Sequence, residues 1–321
     1  MGKKVLVTGA AGFIGMHTAI ALAQKGYTVV GCDNFNNYYD VSLKSARADH
    51  VSSYGAEVYE LDLVDSSEIR EFIHEVQPDI ICHLAAQAGV RHSFIDPQSY
   101  IDSNITGTLN VLEAMRYGSC KNLVFASSSS VYGGVTASQF REDMPLGTPV
   151  SLYAATKIHN EHQAALYSRL FHLHTVGLRF FTVYGPWGRP DMAAWLFTDA
   201  LLEGKPLKVF GNGDMGRDMT YVDDIVSGIC SAVHSVDSFS DPMVFNLGND
   251  SPVPLRDLIS TIECAVGITG IKKYEDMQPG DFRYTHADIS LAREKFGYSP
   301  SVPVAEGIRR FVSWYRDFYQ K

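Results

Sequence analysis

The feature that most constrains the fold is a short apolar segment, residues 5–8, followed at once by glycines at three-residue spacing, Gly9, Gly12 and Gly15. The apolar segment suits a strand that is buried on both faces, and the residues after the glycines have helical periodicity. Glycines in such a strand-to-helix turn let the backbone bend tightly and approach a pyrophosphate bound at the helix N-terminus. A glycine triplet alone also fits a plain turn with close helix packing, so the inference needs a second signal.

A second predicted strand, residues 28–32, supplies that signal because it leads into Asp33. In dinucleotide-binding βαβ units, an acidic residue at this point accepts a hydrogen bond from a ribose 2′-hydroxyl and repels a 2′-phosphate. An Asp at a strand end is otherwise a common turn or helix cap. Together, the glycine turn and Asp33 predict that the protein binds NAD in preference to NADP.

Apolar runs that suit buried strands alternate with helix-like stretches along the first part of the chain; they cover residues 5–8, 28–32, 57–59, 80–84, 123–126 and 175–179. This alternation predicts an α/β fold, a Rossmann-type doubly wound parallel sheet whose ligands bind beyond the carboxyl ends of the strands. After Gly185 the sequence becomes rich in Gly, Pro and aromatic residues. We therefore predict a dinucleotide-binding domain over residues 1–185 and a smaller C-terminal substrate lobe over residues 186–321.

The pair Tyr153 and Lys157 lies in the segment Ser151-Leu-Tyr-Ala-Ala-Thr-Lys157. Residues four apart share one face of a helix, so the Lys157 ammonium can lie beside the Tyr153 phenol. That charge, together with an oxidised nicotinamide, would lower a phenol pKa from its reference value of about 10 and make Tyr153 a base. A Tyr and a Lys at this spacing, taken alone, are commonly exposed side chains on a surface helix. After a nucleotide-binding turn, it predicts a site of oxidation and reduction.

Composition and charge exclude several classes of protein. The chain has 321 residues, 45% of them hydrophobic and 20% charged, which suits a globular enzyme and not a disordered chain. Its formal net charge of −9 disfavours nucleic acid and anionic membranes as partners. No apolar run reaches the roughly 18 residues that span a bilayer, and the first strand begins too early to leave room for a signal peptide. We expect a cytoplasmic protein.

The cysteines and histidines predict neither disulfides nor a metal site. Five cysteines are scattered along the chain without a CxxC pair, which suggests reduced thiols. The pairs His159/His162 and His172/His174 have spacings that a metal could use. Nothing near either pair completes a ligand set.

Several motifs occur together in the order typical of one family. They are Thr8-Gly-Ala-Ala-Gly-Phe-Ile-Gly15, Asp62-Leu63, Leu84-Ala-Ala86, Asn104, Ser127 to Gly133, Tyr153 with Lys157, and Arg179-Phe180 to Gly185-Pro186. On these residues the chain resembles, over most of its length, the extended short-chain dehydrogenase/reductases that act on nucleotide sugars. The segments 33–39 and 87–91 are most similar to those of UDP-glucuronate 4-epimerases. The resemblance implies that the chain re-enters the first domain near residues 220–250 and that the C-terminal lobe binds a UDP-sugar.

The resemblance assigns the reaction centre to Ser128, Tyr153 and Lys157, with Ser128 and Tyr153 holding the reacting sugar oxygen. The alternative for Ser128 is a loop of small residues after a strand. The resemblance also implies a tightly retained NAD. The residues that would bind it are Gly9, Gly12, Phe13, Ile14, Gly15, Asp33, Asn34, Asn37, Asp62, Leu63, Leu84, Ala85, Ala86, Asn104, Tyr153 and Lys157.

The residues after Ser128 distinguish between reactions in this family. Relatives that eliminate water commonly carry Asp-Glu there, whereas this chain has Ser129 and Ser130, so 4,6-dehydration lacks its proton donor. What remains is transient oxidation at C4 to a 4-keto sugar. We therefore predict an isomerase, an NAD-dependent 4-epimerase that interconverts UDP-glucuronate and UDP-galacturonate. The alternatives are a UDP-hexose or UDP-N-acetylhexosamine 4-epimerase, a UDP-glucuronate decarboxylase and, in a different class, a non-catalytic NAD-binding regulator.

Arg189 is the predicted ligand of the C6 carboxylate, because its planar fork suits a bidentate bond and the resemblance places the uronate-binding Arg here. Ser129 and Ser130 could donate to the same group. The alternative is that Arg189 caps its loop or pairs with Asp191. The other substrate contacts that the resemblance implies are Phe210 for uracil, Arg217 for the diphosphate, Asp281 and Arg283 for ribose and phosphate, and Thr182, where many galactose-type relatives have Asn. Arg91 is either a substrate contact or a loop residue.

The resemblance further implies a homodimer, formed by two helices of each subunit at about residues 103–117 and 153–171. Leu112, Met115, Ala164 and Leu166 could supply apolar surface to that interface. The same four residues could instead face their own sheet.

Overall fold

The apolar runs of the sequence become strands, and amphipathic stretches between them become helices. The computed structural model describes residues 2–135, 137–277, 280 and 282–321. In chain order the strands are β1 (Lys4–Thr8), β2 (Thr28–Asp33), β3 (Glu57–Glu60), β4 (Ile80–His83), β5 (Asn122–Ser128), β6 (His174–Phe180), β7 (Thr182–Tyr184), β8 (Leu207–Phe210), β9 (Gly216–Tyr221), β10 (Met243–Leu247), β11 (Pro252–Pro254) and β12 (Lys272–Glu275). The α-helices are α1 (Phe13–Gln24), α2 (Val41–Ser52), α3 (Ser66–Val76), α4 (Pro97–Tyr100), α5 (Gly107–Tyr117), α6 (Leu152–Phe171), α7 (Ala193–Leu202), α8 (Val222–Ser235), α9 (Leu255–Val266), α10 (Ser290–Phe296) and α11 (Val304–Tyr319).

Seven strands form one parallel sheet in the order β10-β6-β5-β4-β1-β2-β3. All six strands predicted from apolar runs lie in it, so the predicted Rossmann-type α/β fold is confirmed. The chain runs outward from β1 to β3 and then returns to place β4 on the other side of β1. In open α/β sheets, ligands bind outside the carboxyl ends of the strands where the order reverses. The fold therefore places the expected crevice beyond the ends of β1 and β4.

Two apolar layers cover the faces of this sheet. On one face α1 and α8 pack together, with Met16, Leu22 and Ile229 fully or almost fully buried. On the other face α3, α5 and α6 bury residues such as Ile69 and Val111. Because both faces are covered, the strands between them are continuous apolar runs, as β1 shows with its three successive valine and leucine residues.

The remaining strands build a smaller lobe. β7, β9 and β11 form a three-stranded sheet, and β8 pairs with β12. Between β9 and β11 the chain returns to the large domain, where α8 packs on α1 and β10 adds an edge strand beside β6. The resemblance implied re-entry near residues 220–250, a range that includes α8 and β10. Within the described part of the chain, no helix is long and apolar enough to cross a membrane.

Candidate active site

The turn after β1 requires glycine at two positions. Gly9 has a φ of +72°, and a Cβ atom on it would lie 2.7 Å from the backbone nitrogen of Ala85, at the end of the neighbouring strand β4. A Cβ atom on Gly15 would lie 1.9 Å from the carbonyl oxygen of Gly9. Both distances are far below van der Waals contact, so any other residue would force the turn away from β4 or from α1. The glycines thus keep this turn tight against the end of the sheet.

The first turn of α1 is open to an anion. Gly12 caps the helix without a side-chain hydrogen bond, and the first turn carries no acidic residue. The free N–H groups and the positive end of the helix dipole therefore point into the crevice. A diphosphate fits this arrangement, which is the one found at dinucleotide sites.

Asp33 lies at the end of β2, beside this turn. Its carboxylate accepts hydrogen bonds from the backbone N–H groups of Ala11, at 3.2 Å, and Phe35, at 2.9 Å. Burial raises the pKa of Asp33, while these bonds and the charge of Lys44 act to lower it. The carboxylate is therefore held rigidly at the edge of the cavity, where it suits a ribose diol and would repel a 2′-phosphate. These residues fit an NAD molecule.

One elongated cavity joins the dinucleotide crevice to the predicted reaction centre. The predicted residues that line it are Gly9, Gly12, Phe13, Ile14, Gly15, Asp33, Asn34, Asp62, Leu63, Leu84, Ala85, Ala86, Ser128, Tyr153 and Arg189. They come from the ends of five strands, from the starts of α1 and α6, and from the loop after β7. The cavity also has an apolar wall formed by Phe180, Phe181, Val183 and Met192.

Three residues predicted to bind the cofactor, Asn37, Asn104 and Lys157, do not line this cavity. Asn37 is exposed and its neighbour Asn36 lines the cavity instead. Asn104 is almost fully buried behind the wall, where its amide exchanges two hydrogen bonds with the backbone of Gln87 and donates a third to Thr156. Asn104 is part of a π-helical turn, Ile101–Thr106, just before α5. Its contacts make it a support of the loop after β4, and that loop lines the cavity.

Tyr153 and Lys157 occupy the first two turns of α6. Ser151 caps this helix by accepting a hydrogen bond from the backbone N–H of Ala154. The cap fixes the helix start, so Tyr153 faces the cavity from the second helical position. The Lys157 ammonium lies 5.9 Å from the centre of the Tyr153 ring and donates to the carbonyl oxygen of Ala126 at 2.9 Å. The predicted shared face is therefore present.

The pKa of Tyr153 is raised in the structure, whereas the sequence predicted a lowered one. Burial raises it, and a hydrogen bond with Ser128 and the positive charge of Arg189 act in the opposite direction. Lys157 is itself buried, which lowers the pKa of its ammonium to about 8, against the opposing charge of Glu161. The prediction counted the charges of Lys157 and of an oxidised nicotinamide and left out the cost of burying a phenolate.

Ser128 ends β5 and faces Tyr153, while the next two serines do not line the cavity. Ser130 donates from its backbone N–H to the Ser128 hydroxyl, and the Ser128 hydroxyl donates to that of Ser130, both at 3.2 Å. Ser130 therefore orients Ser128. Ser129 is half-buried at the start of a short 3₁₀ turn, Ser129–Tyr132.

Arg189 lies in the cavity wall with one edge of its guanidinium occupied. Its Nε and Nη2 donate to the two carboxylate oxygens of Asp191, at 2.9 and 2.5 Å. The Tyr38 hydroxyl donates to the same carboxylate at 3.0 Å. The sequence offered pairing with Asp191 as the alternative role of Arg189, and the structure contains that ion pair. Within the described part of the chain, the hydrogen bonds of Arg189 to Asp191 use Nε and Nη2, so Nη1 can still bind a second carboxylate, beside the Tyr38 hydroxyl that also lies against this guanidinium.

The predicted nucleotide contacts lie in the smaller lobe, outside the lining of this cavity. Phe210, at the end of β8, packs against Arg91 of the loop after β4, with the guanidinium carbon 4.7 Å from the ring centre. Arg217 donates to the carbonyl oxygen of Gly216 at 3.0 Å, and the exposed Arg283 accepts from the N–H of Gly216 at 3.0 Å through its own carbonyl. Thr182 is half-buried in β7. Asp281 lies outside the described residues.

Several lining residues were not singled out from the sequence. They include Asn36, Tyr38, Tyr39, Lys44, Gln87, Ala88, Ser103 and Met192. Most belong to the loops after β2 and β4, whose residues the sequence analysis used only to establish resemblance. Their position next to Asp33 and Ala86 in the chain was the available signal, because loops at carboxyl strand ends line the crevice.

The fold and cavity agree with comparisons to known proteins. Residues 5–248 match the model of the NAD dependent epimerase/dehydratase family. The match covers well over half of the chain and includes every residue of the proposed reaction centre. The protein belongs to this family.

Particular relatives cover nearly the whole chain. UDP-glucuronate 4-epimerase 6 of Arabidopsis thaliana is 46% identical, over 99% of this chain and 72% of its own length. Protein CapI of Staphylococcus aureus is 42% identical, over 99% of this chain and 100% of its own. Among solved structures, the UDP-glucuronic acid 4-epimerase of Bacillus cereus in complex with UDP-glucuronic acid and NAD has a TM-score of 0.92 at 36% identity, over 98% of this chain and 100% of that one.

Proposed function

We propose that this protein is an NAD-dependent 4-epimerase that interconverts UDP-glucuronate and UDP-galacturonate. The observation that carries the proposal is the single cavity that joins Asp33 and the glycine turn to Ser128, Tyr153 and Arg189. The Tyr153 phenol, the Ser128 hydroxyl and the Arg189 guanidinium line the same cavity as the dinucleotide site. The relatives named above include UDP-glucuronate 4-epimerases that align with nearly the whole of this chain.

Bound NAD supplies reversible oxidation of the sugar at C4. Tyr153 takes the proton of the 4-hydroxyl as the 4-keto sugar forms and returns it when the alcohol is restored on the other face. Ser128 holds the same oxygen through a hydroxyl that Ser130 orients. Lys157, close behind the Tyr153 ring, provides the positive charge that stabilises the phenolate. Ser129 and Ser130 leave no acid there to expel a hydroxyl, so the sugar retains all its oxygens.

A 4-keto uronate is a β-keto acid. It loses carbon dioxide when the bond that joins the C6 carboxylate to the ring aligns with the π system of the C4 carbonyl. The Nη1 edge of Arg189 can hold the C6 carboxylate away from that alignment. Asp191 and Tyr38 fix the opposite edge, so the fork is already oriented before substrate binds. This arrangement favours epimerisation over decarboxylation.

Conversion of UDP-glucuronate without added reductant tests the proposed function. We expect purified protein to contain NAD, to form UDP-galacturonate, and to show no net change in nicotinamide absorbance during turnover. Product identity is read by chromatography and proton NMR. Steady accumulation of reduced or oxidised nicotinamide would identify a dehydrogenase, and a UDP-pentose as main product would identify a decarboxylase.

Arg189→Ala should discriminate between substrates. Loss of a charged hydrogen bond should weaken UDP-glucuronate binding or turnover by roughly 1.5–3 kcal/mol. The affinity for UDP-glucose should change far less, since that sugar has no carboxylate. Calorimetric titration with both nucleotide sugars checks this, and Arg189→Lys, which keeps the charge without the fork, should give an intermediate loss.

The same variant should also release carbon dioxide and a pentose product, because its substrate carboxylate is free to rotate. Equal losses on both nucleotide sugars would place Arg189 on the diphosphate or in loop structure. The uronate assignment would then lack its structural support.

The pH profile should reflect the buried ammonium of Lys157. Its pKa of about 8 means that the group is charged below that pH and neutral above it. If the charge supports Tyr153, activity should fall as the pH rises through about 8. Initial rates between pH 6 and 10, with thermal unfolding as a check on folding, measure this. A rate that rises steadily to pH 10 would show instead that ionisation of Tyr153, whose pKa is raised, limits turnover.

We propose that residues 1–185 hold NAD and that residues 186–321 hold the UDP half of the substrate. Arg217 and Arg283 lie on adjoining segments of the lobe, and two guanidinium groups suit the diphosphate. Phe210 offers a ring face to uracil, and the Arg91 guanidinium that packs on this ring links it to the loop after β4.

We also propose a homodimer built from α5 and α6. Leu112, Met115 and Ala164 are buried in their own subunit, so of the four residues considered from the sequence only Leu166 is exposed. The exposed apolar residues on the outer faces of the two helices are Leu109, Tyr117, Leu166 and Leu170. Light scattering should give twice the 35.5 kDa chain mass, and Leu166→Glu/Leu170→Glu should shift the protein to monomer. A wild-type monomer would reject the dimer.

We propose a cytoplasmic location. The five cysteines are free thiols, four of them buried, which suits a reducing compartment.

A further inference from the structure

Arg47 of α2 is a fully buried cation whose hydrogen bonds reach no carboxylate within the described part of the chain. Its Nη1 donates to the hydroxyl of Tyr39 at 2.6 Å and to the carbonyl of Ala11 at 3.3 Å. Its Nη2 donates to the carbonyls of Trp187 and Gly188, at 2.6 and 2.9 Å. Its Nε is buried and has no hydrogen-bond partner among the described residues. Burying a charge in this way costs free energy that an apolar side chain of similar size would avoid.

The two ends of the guanidinium contact two functional segments. Ala11 belongs to the glycine turn, and its N–H donates to the Asp33 carboxylate. Trp187 and Gly188 belong to the loop of residues 185–191, which carries Arg189 into the cavity wall. One rigid planar group therefore joins the wall that would hold the dinucleotide to the loop that would hold the sugar carboxylate.

The loop is attached to the large domain through successive carbonyls. His17 of α1 donates from Nε2 to the carbonyl of Pro186 at 3.0 Å, and Arg47 binds the next two carbonyls in the chain. Burial lowers the pKa of His17 to about 4, so the ring is neutral near pH 7 and Arg47 is the only charged donor of the pair. Trp187 adopts a φ of +61°, which is unfavourable for a bulky residue and persists only where its surroundings hold it.

We propose that Arg47 is a positioning residue that fixes the loop of residues 185–191 against the glycine turn and thereby places Arg189 for the sugar carboxylate. The placement of Arg189 for a sugar carboxylate rests on the function proposed above. The attachment of the loop to the glycine turn rests on the hydrogen bonds alone. A lysine cannot replace Arg47, because an ammonium is a single point and cannot bridge the two sides that the planar fork spans.

Hydrogen–deuterium exchange on the NAD-containing enzyme tests this inference. In Arg47→Lys and Arg47→Met, amides of residues 185–191 should exchange about 10- to 100-fold faster, as expected when charged hydrogen bonds that hold a segment are lost. Lys44→Met is the matched control. Lys44 is a buried cation one turn earlier on α2 whose ammonium donates to Asn36 and lies 4.8 Å from the centre of the Tyr39 ring. Within the described residues its hydrogen bonds do not reach the loop of residues 185–191, so loop exchange should stay as in wild type.

Kinetics separate positioning from general destabilisation. In the Arg47 variants the KM for UDP-glucuronate should rise and the pentose fraction of the product should increase, as for Arg189→Ala, while kcat falls less than KM rises. Loop exchange at the wild-type rate in a folded Arg47→Lys would overturn the proposal. If neither Arg47 variant folds, Tyr39→Phe decides, since it removes one acceptor of Nη1: faster loop exchange supports the proposal, and unchanged exchange rejects it.

The exchange result does not depend on the substrate. If the Arg47 variants show the expected exchange but the protein does not convert UDP-glucuronate, this inference stands and the proposed function is rejected. Normal exchange in Arg47→Lys together with UDP-glucuronate conversion rejects only the inference.

Discussion

Tyr153→Phe should lower kcat by about 10²- to 10⁴-fold, the usual contribution of general acid–base catalysis. The substitution removes one hydroxyl from a ring that otherwise keeps its place at the start of α6, next to Ser128 and in edge contact with Tyr100. Because the glycine turn and Asp33 are untouched, the NAD content of the purified variant should match that of wild type. Initial rates on UDP-glucuronate and the absorbance of released cofactor measure the two effects.

Tyr100→Phe is the matched control for Tyr153→Phe. Its phenol lies beside Tyr153 but bonds to the carbonyls of Gly89 and Ala88 and does not line the cavity. Removing this hydroxyl should reduce the rate far less. Near-normal turnover of Tyr153→Phe would remove Tyr153 from the mechanism, and equal losses in both variants would indicate packing as the cause.

Arg179→Met should destabilise the protein by about 3–5 kcal/mol, the cost of leaving one member of a buried ion pair alone. Arg179 of β6 donates from Nε and Nη2 to the two carboxylate oxygens of Glu161, each at 2.8 Å, and both side chains are almost completely buried. The same guanidinium donates to the hydroxyl of Tyr132 at 2.8 Å. Without the Arg179 guanidinium, the Glu161 carboxylate stays buried in an apolar interior, where the Ser127 hydroxyl donates a hydrogen bond to it.

Urea denaturation followed by fluorescence measures this loss. The exposed pair of Arg309 and Glu306 on α11 provides the control, because surface ion pairs contribute little and Arg309→Met should barely shift the midpoint. The double variant Arg179→Met/Glu161→Leu should recover part of the stability, since neither member of this ion pair is then left alone. A loss in Arg179→Met no larger than that in Arg309→Met would contradict the assigned role of the buried pair.

Features with a local chemical cause could be predicted from the sequence. The strands are apolar runs bounded by polar residues, and the glycines at 9 and 15 are required by backbone contacts that no other residue permits. Tyr153 and Lys157 share a face because helix geometry fixes the spacing of residues four apart. The resemblance added Ser128 and Arg189, and both line the same cavity.

Features set by contacts distant in the chain could not be predicted. Asn36, not Asn37, faces the cavity, because a loop conformation with Phe35 at a φ of +48° decides which neighbour turns inward. The pair of Tyr38 and Asp191 joins residues 153 positions apart, and Arg47 reaches Trp187 across 140. The pKa of Tyr153 depends on how deeply α6 is packed, which periodicity does not report.

The path of the chain between the lobes has a consequence for redesign. After β7, α7, β8 and β9 the chain returns to the large domain for α8 and β10, leaves it again for β11 and α9, and ends in α11, whose Trp314 and Phe318 pack on Trp187. The smaller lobe is therefore not a contiguous cassette. A chimera that imports specificity from a relative must exchange several segments at matched junctions, and a single crossover point would leave one half without the strand or helix that completes it.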